Sequence, residues 1–349
     1  MDPRVIFRCD AGHAPEIGTG HIARSKTLAN ALVTKGYINS NEIIFLTRDD
    51  VGYNLGKKYL DGAGINYKYF SNNELKANSE SETKILSESD AELIFIDRLE
   101  TDRDLVKKIR SKGIRIVTFD DYGTGREQAD LAISSIFSDI NESENLIKGY
   151  EYLILSSELY KPLPFKNELS TVAVSFGGND NRNLCLHFLE NLDVLPKTLK
   201  IEVILGKVDE KILDDYLNII TKKMREDKVN FHIFPKNYHE IISNADLAVT
   251  SGGLSIFEFA AWGVPSVALP QYEHQLKTIE NLQEAGISFL GSNNMNLSNT
   301  KFSIAMGKLL EDNNLRNNMA LNAKKCIDGK GLSRILDKLK IQFKDIFHE

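Results

Sequence analysis

Cysteine is scarce. The 349-residue chain has three, Cys9, Cys185 and Cys326. They are odd in number, far apart and form no CxxC pair, which fits a reducing compartment and argues against a disulfide framework or a structural zinc site. Long apolar runs are missing too, so no transmembrane helix is expected. The start, "MDPRVIFRCD", lacks the basic region, apolar run and small-residue cleavage site of a signal peptide. Together these absences point to a cytoplasmic protein. There is no excess of positive charge either. The net charge is -6, which argues against a broad nucleic-acid surface. A local anion site stays open, because backbone N–H groups bind phosphate without any cationic side chain. No GxxxxGK[ST] occurs, so a P-loop is not expected. Internal repeats and low-complexity tracts are also lacking.

What is present is a regular alternation of short apolar runs with amphipathic stretches. "RVIF" (4–7), "EIIFLT" (42–47), "LIFID" (93–97) and "IRIVTFD" (114–120) read as buried strands. Ile22, Ser25, Leu28, Ala29 and Leu32 fall at helical spacing. "TDRDLVKKIRSKG" reads as another helix, with Thr101 or Asp102 as its cap and Gly113 as its end. Such alternation implies a parallel sheet with helices on both faces. The rhythm breaks at "YKPLPFKNELS", where Pro162 and Pro164 mark a linker. It restarts with "TVAVSF" (171–176), "KIEVIL" (200–205), "VNFHIF" (229–234), "ADLAVT" (245–250) and "PSVALP" (265–270). Two α/β domains in tandem follow, over residues 1–163 and 168–331. The remainder, 332–349, reads as an amphipathic helix.

Three stretches could carry chemistry. The first, "RCDAGHAPEIGTGHIARS", joins the first strand to the first helix. Ligands of open parallel sheets bind beyond the carboxyl ends of the strands. Gly18, Thr19 and Gly20 would let backbone approach a ligand, and His21 would stand at a helix N-terminus, where the dipole favours a neutral, base-competent ring. Asp10, at the strand end, is the candidate to orient that ring. The plain alternative is a helix-opening histidine held by a local hydrogen bond. The second stretch is "SFGGNDNRN" (175–183), where Gly177 and Gly178 could cradle phosphate with Asn179 beside them. Asn179 and Asp180 could equally be a helix cap and nothing more. The third, "AVTSGGLSIFEFAAWGVPSVALPQYEHQ" (248–275), is the most informative. Ser251, Gly252, Gly253 and Leu254 form a turn into a helix, a diphosphate-type site. Glu258 lies one turn further on, where a carboxylate can accept from both hydroxyls of a ribose. Its bland reading is a solvated helix carboxylate.

The pattern "SGG(x)SxFExxxxGVPxVxxP" resembles the nucleotide-sugar site of GT-B glycosyltransferases of the MurG type. "RCD…IGTGHIARSKTLANAL", with "FIDRLETD…IVTFDDYG…ADLAISS" and "FGGND", is more specifically similar to the PseG-type UDP-sugar hydrolases of pseudaminic acid biosynthesis. The resemblance covers residues 4 to 290. It implies a GT-B fold: two Rossmann-like domains with parallel sheets facing across a cleft that holds the active site. In that scheme Ser251, Gly252, Gly253 and Leu254 contact the diphosphate and Glu258 the ribose. The backbone near Phe234 holds the base edge, and Gln275 is a candidate for the donor sugar. His21 activates the water that attacks the anomeric carbon. The small-molecule partner is a nucleotide-sugar, and neither a metal nor a cofactor is implied. The C-terminal helix would pack back on the first domain.

This chain also departs from the family pattern. An Asp-His-Tyr after the fourth strand reads Asp97-Arg98-Leu99 here, so Arg98 either faces a ligand or pairs with Asp102 at the surface. The loop before His21 is longer and adds His13. Three readings therefore stand: a nucleotide-sugar hydrolase, a glycosyltransferase in which His21 deprotonates an acceptor hydroxyl, and a catalytically silent nucleotide-sugar binding subunit.

Overall fold

The computed structural model describes residues 3–12, 17–61, 64–70, 72–136, 141–155, 167–206, 208–292 and 299–348. The chain divides into two compact units, residues 1–156 with 329–349, and residues 157–328. Residues 156–166, with Pro162 and Pro164, lie outside the described set, as does His13.

The first unit is built on a parallel sheet of β1 (Val5–Cys9), β2 (Ile43–Arg48), β3 (Asn66–Phe70), β4 (Leu93–Asp97), β5 (Arg115–Phe119), β6 (Leu131–Ser134) and β7 (Leu146–Lys148). Its helices are α1 (Gly20–Thr34), α2 (Gly56–Leu60), α3 (Glu80–Ser87) and α4 (Arg103–Arg110). The strand order is β3-β2-β1-β4-β5-β6-β7, so the winding reverses between β1 and β4. Alternation within a strand sends successive side chains to opposite faces. Phe7 stacks on Phe45 and Phe95 on one face, with ring centroids 4.8 and 4.5 Å apart. Ile6 joins Ile94, Ile96 and Val106 on the other.

The second unit repeats the plan with β8 (Thr171–Ser175), β9 (Lys200–Leu205), β10 (Val229–Ile233), β11 (Leu247–Thr250), β12 (Ser266–Ala268) and β13 (Ser288–Leu290). Its helices are α5 (Leu184–Glu190), α6 (Glu210–Lys222), α7 (Tyr238–Ser243), α8 (Leu254–Trp262), α9 (Glu273–Glu284), α10 (Asn299–Glu311) and α11 (Asn313–Cys326). The order is β10-β9-β8-β11-β12-β13, again all parallel, with the reversal between β8 and β11. A last helix, α12 (Gly331–Gln342), belongs to the first unit. Its Ile335, Leu336 and Leu339 share a core with Phe7 and Phe45, as do Phe343 and Phe347 beyond it. Gly331 lies against the backbone of Leu153, where a side chain would have no room.

Strands at the centre of each sheet follow the apolar runs closely. β3, β6, β7 and β13 were not anticipated. β3 carries "NYKYF" and alternates between exposed and half-buried positions. β7 and β13 are only three residues long. The edge strands β3 and β7 bury little, so their sequences show no continuous apolar run, whereas β6 is interior and buried but only four residues long.

Candidate functional site

In the first unit the reversal point brings together the carboxyl ends of β1 and β4, with Cys9 paired in register to Asp97. α1 starts from the loop after β1, and three of its residues converge on Asp97. His21, Arg24 and Ser25 stand at i, i+3 and i+4, which is one helix face. His21 Nδ1 lies 2.6 Å from Asp97 Oδ1. Arg24 donates to both carboxylate oxygens, at 2.7 and 2.5 Å, and Ser25 Oγ donates to Oδ2 at 3.0 Å. Arg24 also pairs with Asp120. Asp120 holds a left-handed backbone (φ 44°) and accepts from the backbone N–H of Ser135 at 2.6 Å and of Ile136 at 2.9 Å. Asp97 is 1% exposed. Burial disfavours its charge, yet Arg24 and His21 more than offset this and hold its carboxyl at about 2. A charged carboxylate only accepts, so the Nδ1 beside it carries the proton, and in the neutral ring Nε2 is the nitrogen that presents a lone pair. No described residue engages Nε2, and the side chain is 14% exposed.

This corrects the expected role of Asp10. The structure gives the orienting position to Asp97. Asp10 instead pairs with Arg8 at 2.7 Å and accepts from the backbone N–H of Arg48 at 2.9 Å. Burial opposes its charge, but Arg8 and Arg48 keep its carboxyl below the usual range. Arg98 is corrected as well. It neither faces a ligand nor pairs with Asp102: Nη1 donates to both oxygens of Glu82, at 2.8 and 2.9 Å. Glu82 is fully buried and also takes Arg8 Nε at 2.6 Å. Asp10, Arg8, Glu82 and Arg98 thus form one buried chain of alternating charge under the loops.

Around the α1 loop the required glycine is Gly12. A Cβ there would overlap the carbonyl of Gly52, and Leu55 N donates to Ala11 O nearby. Gly18 has open space where a side chain would stand. Thr19 occupies the helix cap without a side-chain capping bond, followed by Gly20.

In the second unit the reversal point joins the loops after β8 and β11, with Ser175 and Thr250 paired in register. Thr250 Oγ1 donates to Ser175 O at 2.8 Å. Gln271, which the sequence reading passed over, ties the two loops together. Its Nε2 donates to Phe176 O at 2.6 Å, its Oε1 accepts from Asn181 N at 3.1 Å, and Ser251 Oγ lies 3.4 Å from Nε2. Gln275 Oε1 accepts from Gln271 N at 2.9 Å. Gly252 lies against Gln275, closer than a side chain would allow, and Gly253 faces Gln275 Nε2. The backbone N–H groups of Gly252, Gly253 and Leu254 donate to no described residue. At α8 these are the orphan donors of a helix start, aimed where an anion gains most.

The loop after β8 is half as promising as its glycines suggested. Asp180 accepts from Leu184 N and Cys185 N at 2.8 and 2.7 Å, so the start of α5 is already capped by its own carboxylate. Asn179 donates to Asn181 Oδ1 at 2.5 Å. Gly177 holds a left-handed φ of 85° with open space on its side-chain face, and Gly178 packs against Gly206. Directly after β10, Phe234 takes a left-handed backbone (φ 46°) that non-glycine residues rarely adopt. Its N–H donates to Leu205 O at 2.9 Å.

Glu258 sits in the second turn of α8, half-buried. Its Oε2 accepts from the hydroxyl of Tyr238 at 2.7 Å. Burial pushes the carboxyl up, and the Tyr238 hydroxyl pulls the other way. Oε1 meets no described residue. Tyr238 was not singled out in the sequence, because an isolated tyrosine sixteen residues before the helix carries no motif.

Residues 171–332, just under half of the chain, match the family model of the glycosyltransferase family 28 C-terminal domain. The chain is 29% identical over 276 residues to the uncharacterized protein MJ1062 of Methanocaldococcus jannaschii, covering 74% of this chain and 54% of that one. It therefore spans about half the length of that relative. It is 24% identical to the spore coat polysaccharide biosynthesis protein SpsG of Bacillus subtilis, over 93% of this chain and 94% of the relative. Among solved structures, MurG of Acinetobacter baumannii superposes with a TM-score of 0.67 at 13% identity, over 97% of this chain and 100% of that one. HepE of Anabaena, in complex with UDP and glucose, gives 0.58 at 15% identity, over 97% and 99%. The fold is that of the GT-B glycosyltransferases.

Proposed function

We propose that the chain hydrolyses a UDP-linked amino sugar to UDP and free sugar, as the PseG-type hydrolases it resembles do, in nonulosonic-acid or related surface-glycan synthesis. The observation that carries this reading is the His21–Asp97 pair at 2.6 Å, with Nε2 unengaged among the described residues. Nε2 takes a proton from water, the water oxygen bonds to the anomeric carbon, and the bond from that carbon to the diphosphate oxygen breaks. The electron pair leaves with UDP. A positioned base of this kind contributes about 10²- to 10⁴-fold. Asp97 fixes the tautomer and steadies the imidazolium that forms. On the departing side, the free N–H groups of Gly252, Gly253 and Leu254 and the dipole of α8 receive the negative charge. Ser251, Gly177 and Gly178 line the same phosphate region, with Asn179 at its margin. Glu258 accepts from the ribose, the backbone at Phe234 meets the base edge, and Gln275 Nε2 reaches the sugar. Gly18, Thr19 and Gly20 shape the loop that delivers His21. UDP in HepE and polysaccharide synthesis in SpsG support the substrate class.

The family 28 match and MurG favour a second reading, transfer to an acceptor hydroxyl with the same base. Acceptor-free UDP release from a panel of UDP-2-acetamido and UDP-2,4-diacetamido sugars separates the two. Release by the native chain and not by His21→Asn supports hydrolysis. Nucleotide binding without release supports transfer. Absence of both removes the donor class.

A further inference from the structure

Glu258 is read above as the ribose acceptor, and the inference here rests on that reading. A carboxylate free to turn presents two equivalent oxygens to a 2′,3′-diol. This one is not free. Tyr238, the first residue of α7, donates its hydroxyl to Oε2 at 2.7 Å. The same hydroxyl lies 3.4 Å from Ser255 Oγ, on α8 one turn before Glu258. Tyr238 is therefore clamped between two residues of the helix that carries the carboxylate. Tyr238 follows closely on Phe234, whose left-handed backbone ends β10. The phenol thus arrives from the segment expected to hold the base, and it takes one lone pair of an oxygen a ribose would use. Oε1 alone is unengaged among the described residues.

We propose that Tyr238 is a positioning residue for the ribose. By taking one lone pair of Oε2 and fixing the carboxylate's orientation it leaves Oε1 the stronger acceptor, so Glu258 reads one ribose hydroxyl strongly and the other weakly. A hydrogen bond to a charged acceptor is directional and costs most when its partner is deleted, so the two hydroxyls are not interchangeable.

The test is binding of UDP, 2′-deoxy-UDP and 3′-deoxy-UDP to the native chain, Tyr238→Phe and Glu258→Gln, by calorimetry. The native chain is expected to lose tenfold or more in affinity for one deoxy nucleotide and threefold or less for the other. In Tyr238→Phe the carboxylate turns freely, and the ratio between the two deoxy nucleotides falls to within threefold. The ratio is read within one protein sample, so a partly folded variant does not distort it. Equal losses for both deoxy nucleotides in the native chain overturn the proposal. So does a Tyr238→Phe ratio equal to the native one, which would leave the tyrosine a packing role only. Glu258→Gln separates the two levels: unchanged UDP affinity removes the ribose reading and this proposal with it. Weakened UDP binding alongside an unchanged Tyr238→Phe ratio removes the Tyr238 proposal alone.

Discussion

The two units share a strand order and a reversal point, yet they fill that point with opposite chemistry. In the first, the strand ends carry buried charge: Arg24 between Asp97 and Asp120, and Arg8 between Asp10 and Glu82. In the second, the same positions carry hydroxyls, amides and bare backbone, with Gln271 as the tie and Glu258 as the acid on α8. The doubly wound sheet decides where a site lies. Residue type decides whether that site fixes a titratable ring or receives an anion. Buried ion pairs suit the first task because they hold geometry at a cost in desolvation. Neutral donors suit the second because they leave room for the charge of a ligand.

If this division is right, breaking each side should look different. The largest effect belongs to His21→Asn: turnover falls about 10²- to 10⁴-fold, while UDP affinity by calorimetry stays within about twofold. A comparable loss of UDP affinity would mean that the first unit is also a nucleotide binder. Next comes Glu82→Gln, which leaves Arg8 and Arg98 buried without their shared counter-charge. Urea unfolding should show about 3–5 kcal/mol lost. Glu258→Gln is the matched change in the second unit. It should cost about tenfold in UDP affinity and less than about 1 kcal/mol in stability, because removing a half-buried charge relieves as much as it loses.

The smallest effect concerns Asp121. Its Oδ1 accepts from Thr101 N at 2.9 Å and Gly123 N at 2.7 Å, while Oδ2 has no partner among the described residues. Burial raises its carboxyl to about 6, against the pull of those donors. The folded chain then holds a proton that the unfolded chain has released. The stabilisation this gives is complete below the ordinary carboxyl range of about 4 and is lost as pH rises through about 6. Asp121→Asn should flatten that slope and raise stability above pH 6 by about 1 kcal/mol, read as a melting temperature against pH. Asp97, with its carboxyl held at about 2, has the opposite sign: its contribution is present above about 4 and fades as pH falls towards 2.

Much of this was legible in the chain. Central strands such as "LIFID" and "TVAVS" are buried on both faces and read as nearly continuous apolar runs, so β4 and β8 coincide with them. The glycine turn before α8 was legible because a helix start after a strand leaves its N–H groups unsatisfied. What was not legible depends on pairing across the sheet. Asp10 and Asp97 both end central strands, and nothing local says which one meets His21. Register decides it: Arg8 draws Asp10 away, and Arg24, one helical turn after His21, lands on Asp97. Arg98 is open in the sequence between a ligand and Asp102, because its actual partner, Glu82, lies sixteen residues upstream on α3. Tyr238 and Gln271 act through contacts 20 and 95 residues distant, which no short motif records.

The placement of residues 329–349 in the first unit has a consequence for biosynthesis. That unit is split in sequence, with the whole of the second inserted before its last helix. Domains generally fold as they leave the ribosome, earlier ones first. Here the order reverses. The later, uninterrupted unit can close on itself while the earlier one still exposes the apolar seam around Phe7, Phe45 and Leu28 that α12 covers. The nascent chain therefore carries an open hydrophobic surface for more than 170 residues of synthesis, a window in which a chaperone, or a neighbouring copy, competes with its own tail.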